Sequence, residues 1–394
     1  MPACGGASKG QPSCAAGAGP AASADILGGY SRVFPTVDFL RTAALEFIAA
    51  FSAVTAIIFL LSPFATRLGL VDKPGGRKDH AAPTPVTGGL AIAVGTILPA
   101  LALTPPNVQV VGLGVAAIIL VITGVLDDIY DLPWPIRVLA QTAAALAIVL
   151  IGDVRVAQIG PVFGLGPLDL GYLSVPFTII ATVGLINALN MADGIDGLAG
   201  SLCVCTLGML VVASLYAGNA DLAHGLTVIV GAVVAYLAFN LRLPWRKRAR
   251  IFLGNSGSAY LGLIIAWAAF RLTQNPVYPV TPVLAPFLIA PPLIDCLVLI
   301  VRRLMHRRSP FHADRTHAHH LMLDGGFSVT GVVVTLCALS LALGLGAALA
   351  LRADVPQPVL LATFAGLTVG YFLFTRHPER AIAVYARLTG KATR

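Results

Sequence analysis

VQVVGLGVAAIILVITGVLDDIYD, residues 108–131, is the stretch that decides how the rest of the chain is read. From Val108 to Leu126 it carries no charged residue. That is long enough for one helical crossing of a bilayer, whose hydrocarbon core takes about 20 residues. Two carboxylates then arrive together, Asp127 and Asp128. An acid in a membrane segment is costly and marks function by default. Adjacent acids also repel each other unless a cation lies near, and hard carboxylate oxygens of this kind suit Mg²⁺. Asp131 shares a helix face with Asp127, four residues on, while Asp128 sits about 100° round the helix. A solvated helix end would also be acidic, but it would not follow directly on a long uncharged run.

The composition agrees with a membrane reading. Of 394 residues, 57% are hydrophobic and 11% charged, against about 25% charged in soluble domains. Mean hydropathy is +0.85. The apolar runs are continuous rather than alternating, which predicts an all-α polytopic protein and argues against a β-barrel. Eleven runs are long and apolar enough to read as transmembrane helices: 42–66, 88–104, 108–126, 136–152, 174–190, 197–217, 222–240, 257–273, 281–301, 328–351 and 357–375. The ninth contains Pro282, Pro286, Pro291 and Pro292, so a broken helix is expected there, with its freed backbone groups buried in protein or facing water.

Twenty of the 26 basic residues fall on one side of this topology. The positive-inside rule then puts the N-terminus outside and the C-terminus in the cytoplasm. The same rule accounts for the net charge of +8 without nucleic acid. Residues 1–37, rich in Ala, Gly, Ser and Pro and lacking a signal-peptide pattern, read as a disordered tail. Residues 38–375 read as the transmembrane domain and 376–394 as a basic cytoplasmic tail. The six cysteines form no CxxC pair.

Five polar clusters lie on the cytoplasmic side of that topology. They are LVDKPGGRKDH (70–80), DDIYD (127–131), NALNMADGIDG (187–197), FLGNSG (252–257) and SPFHADRTHAHH (309–320). In the third, Asn187 and Asn190 are one turn apart and Asp193 and Asp196 repeat the spacing. Amide oxygens there can complete a Mg²⁺ shell or bind a base; a loop closing a helix would look similar. In FLGNSG, Asn255 and Ser256 open a helix whose free N–H groups suit either phosphate or a plain cap. The histidines of the last cluster, His317, His319 and His320, have no common zinc spacing. As protonatable imidazoles beside Arg315 they suit a diphosphate. Lys73, Arg77 and Lys78 of the first cluster are also what the positive-inside rule alone would place there. Clusters at one interface suggest a site that takes a water-soluble substrate from the cytoplasm and a lipid substrate from the bilayer. A transporter would need its polar groups near the midplane.

Taken in order, these motifs resemble the polyprenyl-phosphate N-acetylhexosamine-1-phosphate transferase family, over about residues 40–375. The DRTHAHH loop is similar to that of the WecA-like branch. The resemblance implies an enzyme of the bacterial inner membrane. It would move GlcNAc-1-phosphate from UDP-GlcNAc to undecaprenyl phosphate, with UMP leaving and a lipid-linked cell-surface glycan begun. It implies Mg²⁺ as cofactor, with Mn²⁺ as an alternative, a UDP-sugar and a membrane lipid as partners, and leaves a homodimer open. It also assigns roles. Asp127 and Asp128 are the acidic pair by the metal and the lipid phosphate, with Asp127 as base or phosphate organiser. Asp193 is the aspartate of the catalytic centre. Asn190 and Asn255 complete the metal site. Asn187, Asp196 and Phe252 line the nucleoside pocket. Arg315, His317, His319 and His320 close over sugar and diphosphate, and Lys73 is the basic residue of the first cytoplasmic loop. One position departs from the family: its motif reads FLGD, and here the neutral Asn255 stands in place of the acid, one negative charge fewer at the metal. The competing readings are a sibling transferase using another UDP-N-acetylhexosamine, a lipid-linked sugar transporter, and a non-catalytic homologue.

Overall fold

A computed structural model describes residues 36–72, 83–103, 107–162, 164, 166–310 and 315–390. The described chain is built almost entirely of helices. They are α1 (Val37–Leu61), α2 (Gly88–Leu103), α3 (Val108–Tyr130), α4 (Trp134–Leu150), α5 (Ser174–Ala192), α6 (Leu198–Tyr216) and α7 (Ala220–Asn240). There follow α8 (Gly254–Thr273), α9 (Ala285–Leu288), α10 (Ala290–Met305), α11 (Ala318–Asp324), α12 (Val329–Arg352), α13 (Gln357–Thr375) and α14 (Pro378–Thr389). A two-residue antiparallel ribbon joins β1 (Val71–Asp72) to β2 (Thr84–Pro85).

Each of the eleven apolar runs is helical. Seven of these helices are long and apolar enough to cross a membrane: α1, α3, α5, α6, α7, α12 and α13. The protein is therefore a multi-pass, all-α membrane protein. The ninth run is broken as its prolines require: Pro282–Leu288 and Ala290–Met305 meet at 87°. The remaining runs differ from simple spans for physical reasons. Helix α4, with 17 residues, is about 25 Å long, short of a hydrocarbon core of about 30 Å. Helix α8 starts with a polar turn and is buried along nearly its whole length. It is surrounded by α2, α3, α5 and α6, so its outside faces protein rather than lipid.

The local chemistry of the chain sets the ends of α3. Asn107 caps its start, its side-chain oxygen accepting from Val110 N at 2.9 Å. Asp131 ends it in the left-handed region, φ 52°, a conformation Asp tolerates better than most residues. Pro135 then sits in the first turn of α4, where its missing N–H costs nothing. Helices α3 and α8 cross at Gly124. A methyl there would lie 2.6 Å from the Ser256 nitrogen and closer still to its Cα. This glycine therefore brings the end of α3, with both aspartates, onto the first turn of α8.

Ahead of α8 the chain is extended and adds to the ribbon. Phe252 N donates to Pro85 O at 2.8 Å, and Gly88 N donates to Phe252 O at 3.0 Å. The segment expected as a basic tail is largely helix α14. It packs beside α11: Thr389 Oγ1 donates to Gly325 O at 2.9 Å, and Tyr385 meets Phe327 and Phe374 edge-on.

Candidate functional site

The end of α3, the end of α5 and the start of α8 meet at one end of the bundle, and the histidine loop folds against them. The two adjacent aspartates face different neighbours, as their 100° separation requires. Asp127 is buried. Its Oδ1 accepts from Leu132 N at 2.8 Å and its Oδ2 from Arg137 at 3.3 Å. Asp128 turns to α8. Its Oδ1 accepts from Asn255 N at 2.8 Å, and its Oδ2 from Ser256 N at 3.4 Å and Ser256 Oγ at 3.2 Å. The α8 N-terminus, which alone suited phosphate, is thus capped by a carboxylate of the same chain. Gly254 makes this approach possible: its φ is +76° and a side chain there would run into Asp128 Oδ2.

Asn190 joins the same group. Its Nδ2 donates to Asn255 Oδ1 at 2.8 Å and to Ser258 Oγ at 3.0 Å. Asn187 donates to Gln141 Oε1 at 2.7 Å across α4 and α5. Asp127, Arg137, Gln141, Asn187, Asn190 and Asn255 line one small cavity of about 30 Å³. Four of these six were expected at the site. Arg137 and Gln141 were not, because nothing local separates them from other polar residues near a helix start.

Asp193 ends α5 and is half-buried. Burial pushes its carboxyl well above the usual range, and the charges of Asp128 and Asp196 push it the same way. No hydrogen bond to its carboxylate is made among the described residues. Asp196 is tied to the loop after α7 instead: its Oδ2 accepts from Arg242 at 2.7 Å and from Ala249 N at 3.2 Å. Buried Asn240 stitches the same region, accepting from Gly197 N at 2.7 Å and donating to Ile251 O at 2.8 Å. Phe252 is half-buried, its backbone held in the ribbon described above. Lys73, with Arg77 and Lys78, lies outside the described residues, as does Asp314.

These oxygens fit a hard divalent cation. Carboxylates of Asp128 and Asp193 and amides of Asn190 and Asn255 are the donor types Mg²⁺ takes. A cation beside Asp193 would relieve the repulsion that raises its carboxyl. Asp127 and Asp128 each have both oxygens already accepting, and Asp127 lines the cavity with Asn190 and Asn255.

The histidines form a stacked group. The rings of His317 and His319 lie 5.5 Å apart and nearly parallel, and those of His319 and His320 lie 4.3 Å apart. The ring of His319 rests against Gly194 of the DGIDG turn, with Nε2 nearest. Burial pushes the His319 imidazole down to about 3, and the neighbouring His320 and His317 add to this. His320 is lowered as well, by burial first and then by Arg315. At neutral pH these two rings, expected to be protonatable, are neutral, and Arg315, 3.8 Å from Asp324, is the cation. The buried atoms His319 Nε2 and His320 Nδ1 have no hydrogen-bond partner among the described residues. Unpaired buried nitrogens of this kind are rare and ask for a ligand.

That buried imidazole makes stability depend on pH. Between about 3 and the ordinary 6.5, the unfolded chain binds a proton that the folded loop refuses, so stability falls as pH drops below about 6.5. At pH 5 the loss is roughly 2 kcal/mol. Thermal unfolding at pH 7 and pH 5 should show a lower midpoint in acid, and a smaller difference in His319→Gln. An equal difference in both proteins would count against a neutral, buried His319.

Known proteins resemble the chain across the segments that form this site. Residues 110–273, which hold most of it, match the model for glycosyl transferase family 4. Undecaprenyl-phosphate alpha-N-acetylglucosaminyl 1-phosphate transferase of Yersinia pestis is 34% identical over 337 residues, 84% of this chain and 92% of the relative. The protein of that name from Escherichia coli K12 is 32% identical over 87% of this chain and 92% of the relative. The one from Haemophilus influenzae is 30% identical over 84% and 92%. With these relatives matched nearly end to end, the chain belongs to the polyprenyl-phosphate N-acetylhexosamine-1-phosphate transferases of glycosyl transferase family 4.

Proposed function

We propose that this chain transfers GlcNAc-1-phosphate from UDP-GlcNAc to undecaprenyl phosphate, releasing UMP and beginning a lipid-linked cell-surface glycan. The observation that carries the reading is the meeting of carboxylates, amides and histidines from four separate segments at one end of an apolar bundle. The reading includes eleven crossings of a bacterial inner membrane, the N-terminus outside and the site in the cytoplasm. The bias of basic residues supports that orientation. It keeps residues 38–375 as the membrane domain.

In this reaction an oxygen of undecaprenyl phosphate attacks the sugar-bearing phosphorus of the UDP-sugar. The bond from that phosphorus to the bridging oxygen breaks, and UMP leaves with the electron pair. The attacking monoester is largely dianionic at neutral pH, since its second pKa is about 6. It needs orientation more than deprotonation. Asp127 is therefore the phosphate organiser: it holds Arg137 by its guanidinium, and Arg137 meets the incoming phosphate. Asp127, Asp128, Asn190 and Asn255 would hold Mg²⁺ (Mn²⁺ as an alternative), with Asp193 beside them. When bound, the cation offsets the charge of the phosphates as they approach. Arg315 and the rings of His317, His319 and His320 bind the sugar diphosphate. Asn187, Asp196 and Phe252 border the nucleoside.

Purified protein in detergent should release UMP when given undecaprenyl phosphate, Mg²⁺ and UDP-GlcNAc. Release only with a different UDP-N-acetylhexosamine would transfer the assignment to a sibling enzyme. Silence with a whole panel of UDP-sugars would sink the transferase reading.

Asn255→Asp restores the acid of the family motif. It adds a charge directly beside Asp128, whose carboxylate accepts from Asn255 N. The expected result is a several-fold lower half-saturating Mg²⁺ and a lower thermal midpoint in chelator. An unchanged Mg²⁺ requirement would remove Asn255 from the metal site.

A further inference from the structure

We infer that Asp295 is a positioning residue, which fixes the ring of His317 and with it the histidine loop over the proposed site. The inference rests on the transferase reading and adds a residue to it. Asp295 belongs to PPLIDCLVLI (291–300), the second limb of the broken span, and is buried. A carboxylate in such a run is retained only with partners. Here it has three. Its Oδ2 is 2.8 Å from His317 Nδ1, and its Oδ1 accepts from Ala318 N at 2.9 Å and from Tyr371 Oη at 2.7 Å.

The geometry gives this cluster a role beyond closing a loop. The chain after α10 folds back so that His317 meets an aspartate 22 residues earlier. The carboxylate accepts only, so Nδ1 must carry the proton and Nε2 is left as the ring atom for substrate. His317 then stacks on His319 at 5.5 Å, and His319 rests on Gly194 of the catalytic turn. Ala318 N, bound to the same carboxylate, belongs to the first turn of α11, which carries His319 and His320. One buried aspartate thereby sets a tautomer, a ring plane and the start of the helix. Tyr371 of α13 holds the same carboxylate oxygen as Ala318 N. The 87° break between Leu288 and Ala290 sets the direction of the limb that carries Asp295.

The test is Asp295→Asn in the full chain, which keeps one oxygen acceptor and the side-chain size, together with Tyr371→Phe. UMP release is followed with undecaprenyl phosphate, Mg²⁺ and the accepted UDP-sugar. Nitrogen-15 spectra of histidine-labelled protein report the His317 tautomer independently of turnover. The expected result is a fall in kcat of about 100-fold for Asp295→Asn with KM for the UDP-sugar changed less than threefold. For Tyr371→Phe a fall of about 3–10-fold is expected. The sizes follow those for groups that orient a catalytic imidazole or ligand. In the spectra, His317 is protonated at Nδ1 in the native protein and mixed in Asp295→Asn. A native kcat in Asp295→Asn, or a rise in KM at constant kcat, would overturn the positioning role. So would an unchanged His317 spectrum. Failure of the transferase reading is told apart from this: the native protein would then release no UMP, while the tautomer shift in Asp295→Asn would still be present or absent.

Discussion

Asp128→Asn should keep the protein folded and remove nearly all turnover, by about 100- to 1,000-fold, the cost of deleting one preorganised charged group at a phosphoryl centre. The two roles of Asp128 separate in this substitution. As a cap it accepts three hydrogen bonds from the first turn of α8, two from backbone and one from Ser256 Oγ. Asparagine keeps one acceptor, so the loss of stability should stay near 1 kcal/mol. Asp128→Ala loses every acceptor and should cost about 2 kcal/mol. As a charge, Asp128 would help to hold the cation, and no neutral side chain replaces that. Thermal midpoints and UMP release, measured on both variants, separate the roles. Full activity in Asp128→Asn would leave the residue a helix cap and nothing more.

Gly124→Val should be the most damaging change outside the polar cluster. The added side chain would overlap the backbone of Ser256, which cannot rotate away. Helices α3 and α8 must separate, at a cost of about 1–3 kcal/mol or more for overpacking. Asp127 and Asp128 sit one turn further along α3 and move with it. Activity should fall by at least 100-fold together with stability, because a shift of about 1 Å at a reacting centre is enough for that. Gly208→Val in α6 is the matched control, since nothing lies within 4 Å of the position its Cβ would take. Equal behaviour of the two variants would show that the α3–α8 crossing does not set the site.

Much of this was legible before any coordinates. The apolar runs mark eleven helices because helix formation in lipid depends on local composition, which each run carries in itself. The prolines at 291 and 292 mark the break for the same local reason. The clusters around Asp127, Asn190, Asp193, Asn255 and His319 stand out because polar groups are rare in such a background. What escaped was mostly pairing. Arg137 and Gln141 look ordinary until α4 lays them beside Asp127 and Asn187. Asp295 did carry a signal, a lone acid in an apolar run, but its three partners come from 22 to 76 residues away.

The sequence by itself determined the class of the protein and the residue types of its site. Composition and hydropathy act on each segment separately, and the motifs lie within single segments. Only the tertiary structure decided what each side chain does. Asp127 and Asp128 are neighbours in the chain, yet one meets a guanidinium and the other a helix N-terminus. The histidines look protonatable in the chain, yet burial first, and then nearby positive charge, keep His319 and His320 neutral. Charge state and hydrogen-bond partner depend on distances between segments far apart in sequence, and those distances exist only once the helices have packed.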